Sequence, residues 1–152
     1  MKTWTATATA EAQPAAVLAV LTDPDACSRW APVPFDVEDG RSLVAGSSAR
    51  VSGRLAGRRV GFDVQVHEAD ATGLALSATG PVGFDVDYRL APTNKGAQVH
   101  ASISVRPSRG LAGRLLAEAT AALLNAGALN HALSRLTREA REVAPWATLP
   151  AT

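Results

Sequence analysis

The chain has 152 residues, of which 47% are apolar, 19% charged and 5% aromatic. That length supports one core without a disulfide or metal, and the apolar content excludes intrinsic disorder. With 15 basic against 14 acidic side chains the net charge is +1, so whole-chain charge makes no case for nucleic acid or an acidic membrane.

Residues 3–10 alternate, with Trp4, Ala6, Ala8 and Ala10 on one face and threonines on the other. That period of two predicts a strand with one wet face. A segment so alternating lacks the apolar core of a signal peptide, and no apolar run approaches the roughly 20 residues of a membrane span. Cys27 stands alone, so no intramolecular disulfide can form, and a cytoplasmic location is expected. From Pro14 to Leu21 the pattern suits a short helix with proline in its first turn. Thr22-Asp23-Pro24 stops it and caps a second helical turn through Ala26 to Trp30. Pro32 and Pro34 then hold the chain extended.

Alternating segments follow at Arg50–Leu55, Val60–His67, Leu74–Ala78, Val82–Leu90 and Val99–Val105, separated by turn residues. Turn chemistry every ten or so residues implies a meandering antiparallel sheet. After Pro107 the period becomes helical to about Val143. Leu111, Leu115, Ala119, Ala122, Ala126, Leu129, Leu133, Leu136 and Ala140 fall on one stripe, flanked by Leu123. Leu124 lies opposite that stripe and hints at a partner or homodimer surface. Gly113 and Gly127 are the places for a bend. The expected organisation is one domain over 1–144 and an irregular tail over 145–152.

The order of a strand, two short helices ending in Asp25-Ala26-Cys27-Ser28-Arg29-Trp30, a strand meander and a long C-terminal helix carries a resemblance. With the Phe84–Pro92 strand and the Gly110–Leu136 helix, the chain resembles the START-related helix-grip superfamily, in its polyketide cyclase/dehydrase and lipid-transport branch. The resemblance implies an α+β helix-grip fold: a curved antiparallel sheet of six or seven strands around a long C-terminal helix, with a hydrophobic cavity between them. It also implies functions spread from cyclases to lipid carriers, so the fold does not fix the activity.

The strand alternation assigns the inward side chains. Trp4, Ala6, Ala8, Val51, Leu55, Val60, Phe62, Val64, Val66, Leu74, Leu76, Ala78, Phe84, Val86, Tyr88, Leu90, Val99, Ala101, Ile103 and Val105 face the helix. Asp63, His67, Asp85, Asp87, Arg89 and His100 face away. Acid–base chemistry wants a titratable group in reach of the reacting atom, and the inward face offers only Tyr88, beside Asn125 and Asn130 on the helix flanks. Small inward side chains permit two outcomes, a helix packed tightly on the sheet or a pocket of roughly 300–1,000 Å³. Composition favours the first and the resemblance the second.

The candidate ligand-binding residues are therefore Trp30, Val51, Leu55, Phe62, Val64, Leu76, Phe84, Val86, Tyr88, Val99, Ala101, Ile103, Ala119, Ala122, Leu123 and Ala126, with Tyr88 the one catalytic candidate. Trp30 occupies the place where the family has an aromatic walling the cavity. Arg29 beside Cys27 would lower the thiol pKa, but no histidine is near in sequence to make it a nucleophile. His67, His100 and His131 are too dispersed for zinc. No metal or nucleotide cofactor is called for. Arg54, Arg58 and Arg59, and Arg106, Arg109 and Arg114, form basic groups that read as solvated surface or as guides for an anionic ligand. The expected function is binding of a hydrophobic small molecule, such as a lipid, polyketide or isoprenoid-like compound. The alternatives are a cyclase/dehydratase acting in the same cavity and a protein-interaction module with a vestigial pocket.

Overall fold

A computed structural model describes residues 2–31, 35–38, 42–55, 57–106 and 110–148, with Leu55 and 143–148 described for backbone alone. Strand β1 (Lys2–Ala10) is followed by helices α1 (Pro14–Thr22) and α2 (Pro24–Trp30). Six further strands follow: β2 (Phe35–Val37), β3 (Ser48–Leu55), β4 (Arg58–Asp70), β5 (Gly73–Thr79), β6 (Gly83–Thr93) and β7 (Gly96–Arg106). Helices α3 (Leu111–Asn125) and α4 (Ala128–Thr148) close the chain.

The strands form one antiparallel sheet in the order β1-β7-β6-β5-β4-β3-β2. The alternating stretches form the strands because each puts its apolar set on one face, and a slip of one residue would turn that set outward. A register shift between Val66 and Glu68 interrupts the β4–β5 pairing, the kind of bulge that bends a strand and lets a sheet curve around its contents. At the β6–β7 hairpin only glycine serves: Gly96 has φ +149, and a Cβ there would lie 2.5 Å from the Ala12 backbone nitrogen. The sheet thus abuts the link between β1 and α1. Strand β2 was not foreseen, because three residues are too few to display a period.

Asp23 caps α2 as expected, its Oδ1 accepting from the Asp25 backbone N–H at 3.1 Å. The C-terminal helix departs from expectation. It is two helices, broken at Ala126–Gly127, where Gly127 takes φ +94. The break resets the helical phase. In α4 the buried residues are Leu129, Ala132, Leu133, Leu136 and Ala140, which continues the stripe read from sequence. In α3 the buried face is Gly113, Leu116, Thr120 and Leu124, while Leu111, Leu115, Ala122 and Leu123 are exposed. Leu124, expected outside, is therefore core. Helix α4 also continues past Ala144 to Thr148 where an irregular tail was expected; residues 149–152 lie outside the described residues.

Helix α4 packs on β1 and α1. The alanine face of β1 suits this, since small side chains let a helix settle close to a sheet. Trp4 ties β1 to α3, its Nε1–H donating to Asn125 Oδ1 at 2.8 Å. Helices α1 and α2 cover the sheet further along, where its inward side chains are larger.

Candidate functional site

Two side-chain sizes on one sheet produce two kinds of interior. Over β1 and β7, where Ala6, Ala10, Val99 and Ala101 point inward, the core is filled. Over β3 to β6 the inward set is bulkier, and the aromatic rings stand against one another instead of interleaving flat. Phe62 and Phe84 lie 5.5 Å apart at 49°, and Trp30 meets Tyr88 edge to face at 5.5 Å and 85°. Between them lies a cavity of about 100 Å³.

Its lining, among the described residues, comes from Leu21, Trp30, Ala31, Phe35, Leu43, Val51, Gly53, Phe62, Val64, Leu74, Leu76, Ala78, Phe84, Val86, Tyr88 and Ile103. Of the candidates, Trp30, Val51, Phe62, Val64, Leu76, Phe84, Val86, Tyr88 and Ile103 are brought together here. Val99 and Ala101 are fully buried but sit beside the cavity in the packed region. The Leu55 side chain lies outside the described residues. Ala119, Ala122, Leu123 and Ala126 do not line it. They belong to α3 and its C-terminus, whose phase is shifted by the break at Gly127 and which turns these residues outward or toward the rim. Among the described residues, the helical part of the lining comes from α1 and α2, through Leu21 and Trp30, and none of it from α3 or α4.

Sequence reasoning missed Leu21, Ala31, Phe35 and Leu43 because they come from helix ends, a three-residue strand and a loop. Leu74 and Ala78 are inward by alternation, and their place beside the cavity follows from β5 lying between β4 and β6 in its floor.

Trp30 is held by its polar atom as well as its ring. Its Nε1–H donates to the Val20 carbonyl at 3.2 Å, satisfying one of the carbonyls that the end of α1 leaves without an intrahelical partner. Arg135 on α4 donates to the Trp30 and Ala31 carbonyls, each at 3.3 Å, and so anchors the end of α2. The indole is thereby fixed as a wall.

Tyr88 is the one lining residue with a hydroxyl, and no hydrogen bond to that hydroxyl is made among the described residues. Burial pushes its phenol pKa upward, with the nearby Cys27 thiol adding to the effect. The hydroxyl thus keeps its proton and acts as a donor, never as a base, at neutral pH. Cys27 corrects the expectation from its neighbour in sequence. Its pKa is pushed up to about 12 by burial and then by Asp23 and Glu139, while Arg29 is turned to Glu139 (Nε–Oε1 2.6 Å). A thiol so placed is inert as a nucleophile.

Asn125 and Asn130 are exposed. On the outer face of the sheet, Ser77 Oγ donates to Asp85 Oδ1 at 2.9 Å and meets His67 Nε2 at 2.8 Å. With the serine proton given to the carboxylate, the imidazole nitrogen must donate to Ser77, the reverse of what activates a nucleophile. Arg106 lies along the same face, near Asp85 (3.5 Å) and donating to the Ala78 carbonyl (2.7 Å). Arg89 bridges Glu68 and Asp87. These basic residues are occupied with the sheet's own acids and carbonyls. Arg54, Arg58, Arg59 and Arg114 are exposed, and Arg109 lies outside the described residues.

No helix among the described residues is long and apolar enough to cross a membrane. In overall shape the chain is similar to a Chromobacterium violaceum protein, with a TM-score of 0.69 and 15% identity over 93% of this chain and 99% of that one. It is also similar to a Thermus thermophilus protein, with a TM-score of 0.67 and 14% identity over 94% and 99%. A protein from the dynemicin biosynthetic locus matches with a TM-score of 0.58 and 18% identity over 91% of this chain, which spans 46% of that one. No curated protein matches the sequence. These likenesses establish the helix-grip architecture, and the sequence itself matches the family described as polyketide cyclase / dehydrase and lipid transport over residues 1–141. With its curved sheet, its apolar cavity and that match across nearly the whole chain, the protein belongs to the polyketide cyclase/dehydrase and lipid transport family.

Proposed function

We propose that the protein binds a small, neutral, mainly apolar molecule between its sheet and helices α1–α2. The observation that carries this reading is a cavity whose lining, among the described residues, is aliphatic and aromatic with one hydroxyl, that of Tyr88. An unpaired charge buried in such a lining would cost several kcal/mol or more, which disfavours a carboxylate or phosphate inside. The volume, about 100 Å³, is below the ~300–1,000 Å³ of sites for larger ligands. It is nearer the roughly 150 Å³ that accepts benzene. A single ring, or a short branched segment of a lipid, polyketide or isoprenoid-like compound, is the size that fits.

Tyr88 supports a second reading, that of a cyclase or dehydratase. A buried phenol with no partner among the described residues can donate to a ligand carbonyl and polarise it, while the cavity holds the chain bent. Positioning of that kind supplies up to ~7–11 kcal/mol in the best cases. The absence of a carboxylate or imidazole from the described lining favours binding over catalysis, because proton abstraction needs a base in reach.

Acetophenone and ethylbenzene, alike in size but with and without an acceptor, test the site by calorimetry. Acetophenone is expected to bind several-fold more tightly, and Tyr88→Phe is expected to remove that preference, a loss of about 0.5–1.5 kcal/mol. In the enzyme reading the same substitution abolishes turnover. Ala78→Leu should fill the space and eliminate binding of both compounds. It should also raise stability by up to about 2 kcal/mol, since an empty cavity costs ~24 cal/mol per Å³. Saturable binding that survives Ala78→Leu, or no binding of either compound to the unmodified protein, would overturn the proposal.

A further inference from the structure

Helix α3 carries its own signal, independent of the cavity. Its inner face is buried, yet Leu111, Leu115 and Leu123 are 75%, 57% and 44% exposed. At about 100° per residue, these three and Ala112, Ala119 and Ala122 fall within an arc of about 120° that holds no charged residue. Isolated exposed leucines are ordinary on a protein surface, but a continuous apolar stripe on one helix marks a contact.

The order of residues in that stripe says what covers it. Read from either end it is nearly the same: Leu111-Ala112 at one end, Ala122-Leu123 at the other, and Leu115 and Ala119 equally spaced about Ala117. We propose that this face is the two-fold contact of a homodimer, in which two α3 helices pack antiparallel at the level of Ala117. A two-fold contact uses the same patch twice and so requires self-complementarity. In the antiparallel arrangement Leu111 lies opposite the partner's Leu123, and Leu115 seats over the partner's small Ala119.

The charges agree. Arg114 and Glu118 are exposed and border the apolar arc on the same side. An antiparallel two-fold pair sets that border of one helix beside the same border of the other. Arg114 then approaches the partner's Glu118, and the contact is made twice. A helix serving an anionic lipid surface would carry basic residues along its border, without the acid. Fifteen residues make a helix about 22 Å long. Such a pair buries less than the ~1,200–2,000 Å² of a standard interface, so micromolar association is expected.

Sedimentation velocity from about 5 to about 200 µM should show a concentration-dependent dimer. Leu115→Asp should leave a folded monomer, with its far-ultraviolet spectrum unchanged because the residue is already exposed. Arg114→Glu alone should weaken association about tenfold, and the double variant Arg114→Glu/Glu118→Arg should restore it. For the register, Leu111→Cys and Leu123→Cys should each fail to cross-link two chains, whereas the double variant should do so. The native thiol, Cys27, is buried and does not interfere. A monomer at the highest concentration would overturn the proposal, as would single-cysteine variants that cross-link as readily as the double. Binding of the monomer to phosphatidylcholine vesicles, lost in Leu115→Asp, would overturn it in favour of a lipid surface.

Discussion

Trp30→Ala is expected to destabilise the fold by about 3–5 kcal/mol, the range for emptying a buried aromatic position, and to abolish binding in the cavity. Three interactions are lost together. The indole is 3% exposed and supplies one wall of the cavity. It stands edge to face on Tyr88 at 5.5 Å, the arrangement favoured by the ring quadrupoles. Its Nε1–H also occupies the Val20 carbonyl at the end of α1, which would be left buried without its donor. Trp30→Phe separates these contributions. It keeps most of the apolar volume and loses the hydrogen bond, so it should cost about 1–3 kcal/mol. Urea unfolding followed by circular dichroism reads both variants, and the order Ala worse than Phe worse than Trp is the expected result. A loss below 1 kcal/mol in Trp30→Ala would mean that α1 and α2 are held over the sheet by other contacts, chiefly those of Arg135.

Trp30 is singled out by the family resemblance, whereas the sheet face around it is legible from the residues themselves, and the difference lies in the range of the signals. Strand alternation is local, so the inward faces of β1 and β3 to β7 are legible: Phe62, Val64, Phe84 and Tyr88 are inward and buried, whereas Asp63 and His67 are exposed. A short helix between Pro14 and Thr22, and its stop at Asp23-Pro24, are legible for the same reason. Helical phase across residues 111–140 is not local. Each residue's face depends on every turn before it, and Gly127 at φ +94 resets the count. The phase read from Leu129 to Ala140 therefore holds in α4, but carried back across Gly127 it exchanges the inner and outer faces of α3. That one break moved Ala119, Ala122, Leu123 and Ala126 out of the site and Leu124 into the core. Cys27 fails in a different way. Arg29 is two residues away in sequence, but a helix points residues i and i+2 in different directions, so the guanidinium meets Glu139 and the thiol meets the Leu21 carbonyl.

The inert thiol has a measurable consequence at alkaline pH. Between pH 8 and about pH 10.5 the unfolding free energy is expected to fall by about 2 kcal/mol, at ~1.4 kcal/mol for each pH unit above the ordinary thiol value. The sign follows from the direction of the shift. Unfolded, the Cys27 thiol ionises near 9; folded, it keeps its proton to about 12, because burial, followed by Asp23 and Glu139, disfavours the thiolate. Above pH 9 the unfolded chain therefore binds fewer protons than the folded one, and raising the pH draws the equilibrium toward unfolding. Below pH 9 this contribution is complete and flat. Tyr88 acts in the same direction, since burial also raises its pKa, but its effect begins only near the phenol's ordinary value of 10. Cys27→Ala removes the first component and leaves the second. It should cost on the order of 1 kcal/mol at pH 7 for the small void, yet its stability should stay nearly level from pH 8 to pH 10, where that of the unmodified chain declines. Urea midpoints at several pH values give the comparison directly. If the two curves fall in parallel, the alkaline loss comes from other groups, and Cys27 is not shielded as its full burial requires.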